Sequence, residues 1–223
     1  MRLFPNSLSA VTPDRINQFI LVGKSIKENI TDLKLKDNSL IAEYSFEKPG
    51  TYVIGMALKP KEIQLTAEEF NEYLLHDGLT DIYELRKKEG ILGKDAVEHY
   101  SKYPKTIIQV GKKLDEISTK PLGLLIEIIP NVNPYELKLG DNLEVSVLFR
   151  GKPLSGAEIA WSYPGQGEEF AGSKRTDSRG NALIPLSKSG PYMIRLTHME
   201  WIKKTTHEWE SHWTSLTFEV SSH

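Results

Sequence analysis

The feature that most constrains this chain is the rhythm of its second half, where short apolar stretches recur at roughly ten-residue spacing with turn-forming residues between them. LEVSVLFR, AEIAWSYP, EFAGSKRTD, NALIPL, YMIRLTHMEW and HWTSLTFEV follow one another, broken by Gly, Pro, Asn and Asp. Such spacing predicts a β-sandwich, immunoglobulin-like or transthyretin-like, over residues 131–223. In the segment 151–159, Gly151 and Gly156 bracket a proline, which predicts a strand end, a turn and a new strand from Ala157. In the segment 176–184, Asp177 is placed to bond its own backbone two residues on, and Gly180 to take the positive φ that closes a hairpin.

The first half also begins as β, with INQFILVG, LKLKDNSLIAEYSF and GTYVIGMAL punctuated at Asp37-Asn38 and Pro49-Gly50. At Thr66 the period changes. Thr66 reads as an N-cap followed by Glu68 and Glu69, with Phe70, Tyr73 and Leu74 at helical spacing, and Gly78 closes this helix. Thr80 opens a second helix carrying Ile82, Tyr83 and Leu85, and Asp95 to Tyr103 reads as a third before Pro104. Strands resume with KTIIQVG and LGLLIEIIP, and NVNPYELKLGDN has linker composition. The predicted class is therefore mainly β: two β-sandwich-like domains, 1–130 with a helical insert at about 66–103, then 131–223.

The 223 residues suffice for a sizeable core, and 28 Lys and Arg against 30 Asp and Glu leave a net charge of −2. That balance argues against nucleic acid as a partner, since such binding rests on a basic face. No apolar run approaches the roughly 20 residues that cross a bilayer, so no transmembrane segment is expected. With no cysteine there are no disulfides, thiolate zinc sites or iron–sulfur clusters. The first residues lack the basic segment and apolar stretch of a leader peptide.

No catalytic pattern is present: there is no Gly-x-Ser-x-Gly elbow, no His-Glu-x-x-His helix and no nucleotide fingerprint. Glu168 and Glu169 are sequence neighbours, which on a strand face opposite ways. The glycines at 165 and 167 read as a turn, because no helix and no Lys-Ser/Thr follow them. The chain is not expected to be an enzyme.

Of the six histidines, His76 and His99 are read as lying near helix ends, where imidazoles cap carbonyls. His198, His207 and His212 cluster towards the C-terminus, with His223 at the end. If residues 191–201 and 209–220 form a hairpin, Ile194, Leu196, Leu216, Phe218 and Val220 put the core on the even-numbered face. The same face then carries His198, Glu200, Glu210 and His212, and one register sets His198 opposite His212 and Glu200 opposite Glu210. Two imidazoles with carboxylates suit nickel, cobalt or zinc better than calcium or magnesium. His207 is a further candidate ligand, or a solvated tip residue; a hairpin that overshoots the sandwich would leave the whole set in water without a role. Trp201, Trp209 and Trp213 occupy the odd face, where they either contact a glycan or protein partner or are covered by the helical insert.

Taken together, PGTYVIGMALKPKEIQLTAEEFNEYLLHDGL, HYSKYPKTIIQVG, TKPLGLLIEIIP, NPYELKLGDNLEVSVLFRGKPLSGAEI, TDSRGNALIPLSKSGPYMIRLTHM and WESHWTSLTFEV resemble an uncharacterised bacterial envelope family. That family is often labelled as the periplasmic component of nickel or cobalt uptake. The resemblance extends from about Phe4 to Val220. It implies a periplasmic or cell-envelope location, a metal ion or metal chelate as ligand, and a membrane transporter or envelope protein as partner. Relatives open with a leader and a His- and Trp-containing strand. This chain begins after both, at a match to the family's Phe-Pro-Asn-Ser turn.

Overall fold

The computed structural model describes residues 11–36, 39–163, 170–202 and 208–221. The turn at Asp37-Asn38, the glycine turn at 165 and 167, Glu168, Glu169, His207 and His223 lie outside the described residues.

The protein is mainly β, with its strands in a sandwich-like arrangement. Its larger sheet runs in the order β12 (Gly172–Arg175), β11 (Glu158–Ser162), β14 (Gly190–Trp201), β15 (Trp209–Val220), β7 (Ala96–Val110), β5 (Gly50–Leu58), β1 (Ile16–Gly23) and β2 (Ile26–Asn29), with β6 (Lys61–Leu65) also on β7. In the smaller sheet, β9 (Asn142–Phe149) takes β8 (Ile126–Pro130) on one side and β13 (Asn181–Pro185) and β10 (Lys152–Pro153) on the other. A separate hairpin joins β3 (Lys34–Lys36) to β4 (Ser39–Ile41).

Alternation along β14 and β15 places the layers. Tyr192, Ile194, Leu196, Leu216, Phe218 and Val220 are buried against Ile126, Ile128, Leu143, Val145, Val147 and Ile184 of the smaller sheet. The odd-numbered face meets α1 (Ala67–His76) and α2 (Thr80–Lys88), where Met199 and Trp209 pack on Phe70, Leu74, Leu79 and Ile82. The molecule is layered as helices, large sheet and small sheet at this end.

The helices follow from local chemistry. Thr66 and Glu69 form a reciprocal capping box at the start of α1. Its end is a Schellman turn: Leu79 N–H reaches Leu74 O at 2.8 Å, Gly78 N–H reaches Leu75 O at 3.4 Å, and Gly78 takes φ +74°. Leu79 then packs beside Leu74, so the cap and the core share residues.

Two expectations are corrected. Residues 95–103 are not a third helix; from Ala96 on they belong to β7, which pairs with β6 over Ala96–Tyr100 and runs parallel to β15 from Glu98 to Thr106. Pro104, read as a helix stop, sits in this strand between the stretches paired to β6 and to β5, where that edge of β7 has no partner and a missing N–H costs nothing there. Gly180 does take a positive φ, +78°, but the turn does not close a hairpin. It carries the chain from β12 in one sheet to β13 in the other.

Residues on both sides of Pro130 fill one core, since Val53, Ala57, Tyr103 and Ile107 pack with Val145, Ile184 and Leu216. The β15–β7 ladder joins both segments in one sheet. A buried ion pair ties the larger sheet to the smaller: Lys105 of β7 donates to Glu127 of β8 at 3.2 Å, while Glu127 also accepts from Leu122 N and Leu124 N.

Candidate functional site

The site lies where the β14–β15 hairpin outruns the small sheet. Of the registers open to it, the hairpin takes the one that sets His198 opposite His212 and Glu200 opposite Glu210, with Trp201 opposite Trp209. Past Leu196 and Thr214 the even face changes from aliphatic to ionisable, just where β9 ends at Phe149.

Three of the expected ligands converge. One carboxylate oxygen each from Glu200 and Glu210 and a ring nitrogen of His212 lie within 4.8 Å of one another. The His212 side chain is only 8% exposed, and among the described residues neither of its ring nitrogens has a hydrogen-bond partner. Its Nε2 stands 3.8 Å from Glu200 Oε2. A buried imidazole with both nitrogens unmatched is costly, and protein interiors ordinarily match such groups. Burial holds His212 below the usual imidazole value, with Glu200 opposing, so the ring is neutral at neutral pH and keeps a lone pair.

His198 is not drawn into this trio. Its ring lies against Phe149, with centroids 4.4 Å apart, and the same phenyl ring stands 5.3 Å from His212. Ile202 N–H bonds Glu208 O, so the even-numbered pairs are the hydrogen-bonded ones, whose backbones stand further apart than those of the alternate pairs. Phe149 fills the space this leaves. Burial lowers the pKa of His198 as well, against the attraction of Glu200 and Asp81.

Arg150 carries no weight in the sequence reading, yet it is a principal charge of the site. It donates to both oxygens of Glu200, at 3.1 and 2.7 Å, and its guanidinium lies 4.5 Å from the Phe149 ring centroid. Phe149 pairs with Lys152 across a two-residue turn in which Arg150 has φ +51° and Gly151 φ +72°, the signature of a type I′ hairpin. The sequence signal was there, an Arg-Gly pair between strands, but it bears on geometry and not on contact.

The tryptophans are packed by the helices. Trp209 is fully buried, 5.6 Å from both the Phe70 and the Trp201 ring centroids, and Trp213 stacks on Tyr73 at 5.6 Å. Arg86, also fully buried, lies over Phe70 at 4.8 Å and donates to Ile91 O and Lys94 O. A partner-contact role for Trp201, Trp209 and Trp213 as an exposed set does not fit this packing.

Beneath them is a polar network that sequence reasoning missed. Buried Glu98 accepts from Ser211 and, at 3.3 Å, from Tyr73, while Trp213 Nε1 donates to Ser211 at 2.9 Å. Burial pushes the Glu98 carboxyl up. Beside it, Asp77 accepts from Arg195 and Thr197 and meets His76 Nδ1 at 3.0 Å. His76 thus sits at a helix end as expected. His99 does not; it is in β7 and pairs with Glu62 at 3.0 Å.

Among the described residues no helix is long and apolar enough to cross a membrane. No curated protein matches the chain. Among solved structures, the D0-D1 domain of Intimin is 11% identical over 94% of this chain and 86% of that chain, with a TM-score of 0.23, a likeness too slight to carry an argument. The family model for a domain of unknown function, DUF4198, matches residues 2–200, nearly the whole length of the chain. The chain belongs to the DUF4198 family.

Proposed function

We propose that this is a non-catalytic cell-envelope protein that binds a divalent transition metal, nickel, cobalt or zinc, or its chelate, at the end of the β14–β15 hairpin and supports its uptake. The observation that carries this reading is His212: nine-tenths buried, with ring nitrogens unmatched among the described residues, beside the carboxylates of Glu200 and Glu210. One imidazole and two carboxylates offer three ligands and leave positions open for water, a chelating molecule or His198. An open coordination sphere suits a protein that must pass its ion to a transporter. The envelope setting and the uptake role rest on the family resemblance, and the site rests on its geometry. Docking through tryptophans finds less support, since Trp209 is enclosed by the helices.

Calorimetric titration of chelator-stripped protein with nickel, cobalt and zinc tests the reading. The expected result is one equivalent bound by the native chain and none by His212→Leu. Absence of binding by the native chain, or undiminished binding by the variant, overturns it.

A further inference from the structure

We propose that Arg150 is an internal counter-cation of the metal site, holding Glu200 when no ion is bound and opposing the ion that arrives. This rests on the metal-binding reading and says what regulates the same site.

Three observations converge on Arg150. Among the described residues it is the one non-glycine residue with positive φ. The first position of a type I′ turn is the home of Asn, Asp and Gly, so an arginine there sets a long cationic side chain against the local backbone preference. Its fork engages both oxygens of Glu200, and the closer contact, 2.7 Å, is to Oε2, the oxygen that also stands 3.8 Å from His212 Nε2. An ion held by His212 and Glu200 would therefore share that oxygen with the guanidinium. Finally, Phe149 ties the parts together, touching His198 and His212 on its ring and carrying Arg150 above it.

The consequence is a charge balance. With Arg150 in place, the negative charge of Glu200 is already matched. A dication entering beside the guanidinium meets repulsion at a separation of a few ångströms, partly screened because Arg150 is 55% exposed. The site thus holds its ion less tightly than its ligands alone would, and releases it faster. The half-exposed guanidinium has room to turn towards solvent when the ion takes Glu200.

Zinc affinity and release rate, measured by competition with a chromophoric chelator, test this on the full chain. Arg150→Asn removes the charge while suiting the left-handed backbone, so the free protein should melt at the same temperature or higher. It should bind zinc about tenfold tighter, equivalent to about 1.4 kcal/mol, and release it more slowly. Arg150→Lys, which keeps the charge and loses the fork, should fall between. Equal affinity in the native chain and Arg150→Asn overturns the counter-cation and leaves the metal reading standing. Weaker binding in Arg150→Asn overturns it too, making Arg150 a support for the site. Zinc bound by neither protein removes the metal reading and this inference together.

Discussion

The two faces of one hairpin are built on opposite terms. On the odd face, Trp209 is sealed by α1 and α2, and the polar groups Glu98, Ser211, Tyr73 and Trp213 satisfy one another, although Trp209 Nε1 and one terminal nitrogen of Arg86 have no hydrogen-bond partner among the described residues. On the even face, a few residues along the same strands, His212 is buried without a hydrogen-bond partner and Glu200 is held by a residue in a disfavoured turn conformation. The same backbone ladder supports both, so the contrast lies in the side chains. One face encloses its aromatic rings beneath the helices, while the other sets an imidazole with both nitrogens unmatched beside two carboxylates, the kind of arrangement in which natural proteins keep their functional groups.

The contrast breaks most visibly at the largest side chain. Trp209→Ala should destabilise the protein by about 3–5 kcal/mol, read as a lowered denaturant midpoint, because it opens a cavity between helices and sheet. Ser211→Ala leaves Glu98 and the Trp213 N–H without their shared partner and should cost about 1–3 kcal/mol. On the even face the sign reverses. His212→Leu should leave stability unchanged or raise it by about 1 kcal/mol, since it removes two buried unmatched nitrogens and adds apolar contact with Phe149 and Tyr103. Should His212→Leu destabilise as Trp209→Ala does, the two faces are not different in kind.

The smallest effect is in pH dependence, where the faces should also have opposite signs. Burial holds His198 and His212 below the value near 6.5 that an unfolded chain shows, so their contribution is full above about pH 6.5 and is lost as pH falls through the folded value. Burial holds Glu98 above the unfolded value near 4.3, so its contribution is full below about pH 4.3 and is lost as pH rises through the folded value. From pH 7.5 to 5 the melting temperature of the native chain should fall relative to that of His198→Leu with His212→Leu, which retains the opposing contribution of Glu98.

What was legible in the sequence follows the range of the interactions. The hairpin register is local: apolar residues at 194, 196, 216, 218 and 220 fix which face is buried, and the ionisable residues beyond them inherit it. The helix caps are local too, within four residues of Thr66 and Gly78. By contrast, the parallel pairing of β15 with β7 joins residues more than a hundred positions apart, and nothing in either segment specifies the partner. Residues 95–103 misled because His99, Ser101 and Lys102 mask the alternation; the strand is covered on one face by a polar network and not by an aliphatic core. Arg150 was hidden for a related reason, being a turn residue whose role comes from the strand end it overhangs.

The most direct measurement is an anomalous-difference map from crystals grown with zinc. The predicted result is a peak about 2.0–2.2 Å from one His212 ring nitrogen and from oxygens of Glu200 and Glu210. A hairpin without a peak, with zinc only at surface histidines such as His76 or His99, would contradict the claim that the even face is a metal site.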